Sequence, residues 1–176
     1  RTAFLKAAPD REYEPIQYED RLMSKFGYFR TERYAYDEWR GIRQTNRKYL
    51  ANRFNTWEKV WQRDENGDIK LDADGRQLAI PVKDRDAKPI VYYVGQEMPD
   101  DLFAASQATA DGWDLAFRSA VAASKGVNVD AVGRMYILCH NPVTADDAAE
   151  CGEEGLEART GDIRYNQMYW VAQFTQ

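Results

Sequence analysis

Histidine is almost absent from this chain: among 176 residues only His140 carries an imidazole. A protease-type zinc site needs at least two imidazoles one helical turn apart, so this sequence cannot build one alone. Nor does His140 form a catalytic pair with the neighbouring Cys139, because adjacent residues of a strand point to opposite faces. The plain reading of His140 is a loop histidine following a strand. Long apolar runs are missing as well. With no stretch of about eighteen apolar residues, nothing in the sequence reads as a membrane span. A basic surplus is also lacking, since the net charge is −5 with acids and bases interspersed. Phosphate binding needs a net basic footprint, which argues against nucleic acid as a main partner. There is no initiator methionine and no charged-then-apolar leader at Arg1, which suggests a processed or trimmed start.

Hydrophobic residues make up 44% and aromatics 13% of the chain, too apolar a composition for a disordered protein. The length allows one domain, or one and a half. The two cysteines, Cys139 and Cys151, flank a polar, turn-rich loop. In an oxidising compartment they read as a disulfide, which closes a loop of that length for roughly 3 kcal/mol by chain entropy. Two reduced thiols are the other reading. A zinc site would need two further ligands.

The sequence divides near residue 85 into an N-terminal region, 1–85, and a second region, 86–176. Residues 1–20 suggest an extended arm, and 25–36 are aromatic-dense and expected to be extended. Residues 41–62 fit helix spacing and strand alternation alike. Asn66-Gly67 and Asp74-Gly75 flank Ile69-Lys70-Leu71. Such dipeptides supply positive φ for tight turns, so 60–82 reads as a small β-meander. No internal repeat or low-complexity tract is evident.

From residue 86 the pattern firms. Ile90-Val91-Tyr92-Tyr93-Val94 reads as a buried strand. A helix is expected from Asp100 and Asp101, acids suited to a first turn, to the Lys125-Gly126 stop. Its packed face is expected to hold Phe103, Ser106, Ala110, Trp113, Phe117 and Ala120. Residues 134–139 and 163–171 read as further strands. The implied class is α+β, an α/β sandwich-like mixed sheet with one long helix, preceded by an aromatic-rich β-containing region.

Several motifs have plainer explanations. Counted from Asp64, an EF-hand would need glycine sixth and glutamate twelfth, but Ile69 and Gly75 stand there. Phe26-Gly27-Tyr28-Phe29 lacks the glycine that an RNA-recognition strand carries before its first aromatic, with Lys25 in its place. Nothing selects a catalytic pair among Asp100-Asp101, Asp146-Asp147 and Glu153-Glu154, for which solvated charge is the default.

Five segments carry a resemblance: Phe26-Gly27-Tyr28-Phe29-Arg30-Thr31-Glu32-Arg33, Tyr49-Leu50-Ala51-Asn52-Arg53-Phe54-Asn55, Pro89-Ile90-Val91-Tyr92-Tyr93, Trp113-Asp114-Leu115-Ala116-Phe117 and Gly161-Asp162-Ile163-Arg164-Tyr165-Asn166. Taken together, the chain resembles exported bacterial zinc metalloproteases of the metzincin group, of myxobacterial type. The match runs through their N-terminal region and the first half of the catalytic domain. Trp113-Asp114 replaces the usual Trp-Asn while keeping its hydrogen-bonding shape. The resemblance implies that Trp113 and Phe117 seat the helix on the sheet. It also implies that Asp162 and Arg164 open an inner strand, bonding backbone or each other if buried. These are structural roles, and the chain itself carries no catalytic residue and no cofactor. Zinc, the His-Glu-x-x-His helix and the peptide substrate would belong to the intact, exported protein, whether periplasmic, lipoprotein or extracellular. The expected partner is a complementary C-terminal polypeptide or a neighbouring copy packed on the last strand. The other reading is a non-catalytic extracellular scaffold or assembly subunit of protease-like topology.

Overall fold

A computed structural model describes residues 3–4, 12–13 and 15–172, except for the side chains of Gln44 and Thr45. Of the arm expected over 1–20, residues 1–2, 5–11 and 14 lie outside the described residues, as do residues 173–176. The fold is α+β. It divides at Asn55/Thr56 into two compact units, Glu12–Asn55 and the chain from Thr56 onward. The meander at 57–87 therefore belongs with the larger unit and not with the N-terminal region to which the sequence assigned it.

The smaller unit is a helix followed by a hairpin. Helix α1, Asp20–Phe26, occupies the start of the segment expected to be extended, and Gly27 ends it at φ 70°. Its signals are an acid in the first turn, Lys25 in the last and a left-handed glycine stop. They lay in the sequence beneath the aromatic pattern. Strand β1, Arg30–Asp37, then pairs antiparallel with β2, Gly41–Ala51, with a bulge between Tyr34 and Tyr36. The ambiguity over 41–62 thus resolves to a strand in its first half.

In the larger unit the meander is one turn motif used twice, offset by eight residues from Asp64 to Asp72 and from Gly67 to Gly75. Asp64 Oδ1 accepts from the backbone N–H of Asn66 and Asp68 at 2.9 and 3.0 Å. Asp72 Oδ1 accepts from Asp74 and Arg76, both at 2.9 Å. Gly67 and Gly75 close the turns at φ 87° and 77°, a region open to glycine because it has no Cβ. The three extended pieces then bond in a ring: Gln62 donates to Leu78, Leu78 to Lys70, and Lys70 to Gln62. This is an internal repeat, in contrast to the sequence reading. Its two copies share little beyond the turn residues.

Strands β3 (Ile90–Gly95), β4 (Tyr136–Asn141) and β5 (Asn166–Met168) form a parallel sheet in the order β4-β3-β5. Among the described residues no antiparallel strand joins it, and the strands expected as one mixed sheet form two sheets, one parallel and one antiparallel. The last strand is also shorter than the expected 163–171.

Helix α2, Asp100–Lys125, covers one face of this sheet and stops at Gly126 with φ 70°. Its buried residues are Ala110, Asp114, Val121 and Ala122, which turns the packed face away from Trp113 and Ala120. Tyr92, Val94, Ala110, Leu138 and Met168 form the cluster beneath the helix. Trp57 and Val60 of the meander join Val121, Val132 and Met135 in a second cluster. On the other sheet face Tyr93, Ile137 and Cys139 pack against Val143, Cys151 and Ala158 of the following loop. Cys139 and Cys151 are joined there, with their Cα atoms 5.7 Å apart. The sheet is thus covered by the helix on one side and the disulfide loop on the other.

Candidate functional site

Crevices of parallel sheets open at the carboxyl ends of the strands, where backbone carbonyls lie free and loops diverge. Such a crevice exists at the ends of β3 and β4. It measures about 360 Å³ and is lined by residues that include Val94, Gln96, Met98, Asp100, Phe103 and His140. That volume lies within the range of small-ligand sites.

His140 dominates the crevice. The sequence read it as a loop histidine, but it is the fifth residue of β4 and is held on two sides. Its ring stacks on Phe103 of α2, with centroids 4.2 Å apart and planes 23° from parallel. Its Nδ1 lies 2.9 Å from Asp147 Oδ1, and its backbone N–H donates to the same oxygen at 3.1 Å. Asp147 Oδ2 in turn accepts from the backbone N–H and hydroxyl of Thr144, at 2.7 and 2.9 Å. The Asp147 side chain is only 4% exposed, so it is not the solvated charge expected of the Asp146-Asp147 pair. Burial alone would push its carboxyl up. The backbone hydrogen bonds from Thr144 and His140, with those from their side chains, outweigh that effect and hold it below its ordinary range. An ionised Asp147 accepts a hydrogen bond from Nδ1–H, and in the neutral ring this leaves the lone pair on Nε2. The loop that supplies Asp147 is itself pinned. Asn141 donates to the Ala158 carbonyl at 2.9 Å and accepts from its N–H at 2.8 Å, next to a cis Asn141–Pro142 bond.

The residues singled out from sequence lie elsewhere. Phe117, read as seating α2 on the sheet, stacks on Tyr136 of β4 at 6.0 Å with planes 3° apart. Trp113, given the same role, is instead 54% exposed and lies on the flank of Phe117. The residue that ties helix to sheet is the one between them. Buried Asp114 accepts from the backbone N–H of Met135 and Tyr136 at 2.6 and 3.1 Å, with Arg118 3.8 Å away. A polar residue inside an apolar stripe was the signal for it.

Asp162 and Arg164 bond to each other, with Arg164 Nε 2.9 Å from Oδ1 and a terminal nitrogen 2.6 Å from Oδ2. They precede β5 and do not open a buried strand, since the Arg164 side chain is 62% exposed. The Arg164 hydrogen bonds bring the Asp162 carboxyl down to about 2.

The signal for the His140 site was also present in sequence, as an acid seven residues after the only histidine, across a proline-containing loop. Its meaning depended on the loop folding back, and no local pattern reports that. Comparison of the chain with protein-family models, curated proteins and solved structures yields no match.

Proposed function

We propose that this chain is the scaffold portion of an exported zinc metalloendopeptidase of the metzincin type. In the intact protein a further polypeptide, from the same gene product or a neighbouring copy, would add to its sheet. The observation that carries this reading is the uncovered flank of β5. Among the described residues β5 pairs with β3 alone. Around it Ile163, Tyr169, Trp170 and Val171 are 58, 46, 41 and 49% exposed. A short parallel edge strand amid exposed aromatics is a ready template for another strand. The order strand, helix, strand, strand agrees with the resemblance, and a disulfide suits an exported protein.

The chain's own donors do not fit a zinc site. One imidazole falls short of a tetrahedral zinc site, its two sulfurs are bonded to each other, and the described residues contain no cluster of three candidate ligands. In this reading the metal and its chemistry belong to the added polypeptide.

A second reading, a non-catalytic extracellular assembly subunit, is favoured by the β1–β2 hairpin. Its end exposes Tyr36 at 74%, Trp39 at 91% and Ile42 at 69%, aromatic surface of the kind that anchors protein interfaces. Zinc content and peptide hydrolysis of the complete gene product separate the two. One zinc per chain with chelator-sensitive hydrolysis is expected for the peptidase. A zinc-free, inactive product would leave the assembly subunit.

A further inference from the structure

We propose that the crevice at the carboxyl ends of β3 and β4 binds a primary alkylammonium group, with His140 and Asp100 as acceptors. The inference goes beyond the scaffold reading and does not depend on it.

Holding an imidazole in one orientation has a cost. The Asp147 side chain is buried to do it, and its carboxylate makes four hydrogen bonds, with His140 and Thr144. In the neutral tautomer that donates from Nδ1, this arrangement presents a lone pair at Nε2, an acceptor with no partner among the described residues. A hydroxyl or thiol nucleophile beside it would point to acyl transfer. Among the described lining residues there is none, so the geometry favours recognition over catalysis.

The remaining polar surface sets the sign of the ligand. No lysine or arginine lines the crevice among the described residues, whereas Asp100 does. The neighbouring Glu97 folds back over Gly95, where Oε2 would lie 2.5 Å from an added Cβ. Asn141, also at the rim, has its carbonyl oxygen and one of its two amide N–H groups taken up by Ala158. Opposing these carboxylates is the first turn of α2, whose partial charge is about half a positive unit. Asp100 at the crevice and the neighbouring Glu97 outweigh it, so an anion is disfavoured and a cation that donates hydrogen bonds is matched. Val94, Met98 and Phe103 form an apolar wall suited to the aliphatic stem of such a cation. A lysine side chain and a free small amine share this chemistry.

The single histidine provides its own probe, because its imidazole gives one Hε1 resonance. The chain is titrated with n-butylammonium and with Nα-acetyl-lysine methylamide at fixed pH and ionic strength. Its Nε-acetylated form serves as the neutral control. Both ammonium ligands should shift the His140 signal saturably. Acetylation should weaken binding at least tenfold, and Asp100→Asn about fivefold or more. Backbone amide signals of α2 report that this variant keeps its fold. Tighter binding of the lysine amide than of butylammonium identifies a peptide side chain as the natural occupant, and equal binding identifies a free amine. The proposal is overturned if no saturable shift occurs, if the acetylated control binds equally, if folded Asp100→Asn binds unchanged, or if only divalent metal ions perturb the resonance.

Discussion

The two compact units are stabilised in different ways. From Thr56 onward, three apolar clusters back the sheet, helix and meander, and Met135, Ile137, Cys139 and Val60 are at most 1% exposed. In Glu12–Asn55, by contrast, Tyr18 is the only buried hydrophobic residue among those described. That unit relies on ladder hydrogen bonds and on arginines laid over tyrosines. Arg30 sits 3.8 Å from the Tyr49 ring centre, and Arg47 lies over Tyr34 and Tyr49 at 5.5 and 6.0 Å. Tyr49 and Tyr34 also accept hydrogen bonds from Arg47 and raise its already high pKa further. A two-stranded hairpin without a core is marginal in water. The lesson is that aromatic density is not burial: the N-terminal aromatics largely face outward, while the larger unit hides mostly aliphatic side chains and cysteine.

Removing a buried polar anchor should break the larger unit most severely. Asp114→Ala leaves the N–H groups of Met135 and Tyr136 without their acceptor and removes one partner of Arg118, which keeps the carbonyls of Val132 and Val129. A loss of about 2–4 kcal/mol is expected in denaturant unfolding. Asp114→Asn, which keeps a carbonyl in place, should lose less. Equal losses would mean that charge, and not the hydrogen bonds, ties helix to sheet.

Acid should act next, through Asp147. Its folded pKa lies below the ordinary carboxyl value of 3.8. Its contribution is therefore complete above pH 3.8 and lost as pH falls through the lower folded value, because the unfolded chain takes up the proton first. Thermal unfolding of the wild type should lose stability relative to Asp147→Asn across that window. Parallel curves would remove Asp147 from the balance.

The smallest effect is expected in the hairpin. Arg30→Ala removes the stacking on Tyr49 and an ion pair with Asp20 at 2.7 Å. The expected cost is about 0.5–1 kcal/mol. Hydrogen exchange should quicken in β1 and β2 while β3 and β4 stay protected. Equal loosening of both regions would show that the units do not unfold separately.

Locally encoded features were legible in the sequence. The acids at Asp100 and Asp101 and the glycine at 126 bound α2 because helix ends are governed by their own few residues. Gly67 and Gly75 mark the meander turns because positive φ is a property of the single residue. The run at 90–94 declares a strand by composition alone.

Tertiary structure decided the rest, since each remaining feature has a partner far along the chain. The face of α2 is set by Asp114, whose acceptors are needed only once the backbone at 135 and 136 arrives. Pairing restricts β5 to three residues, although its sequence could extend further. His140 became part of a site because the loop through Pro142 returns Asp147 to its ring while α2 lays Phe103 against it. Periodicity reports which residues prefer burial. It carries no information about which distant donor will meet which acceptor, and the candidate site consists of such meetings.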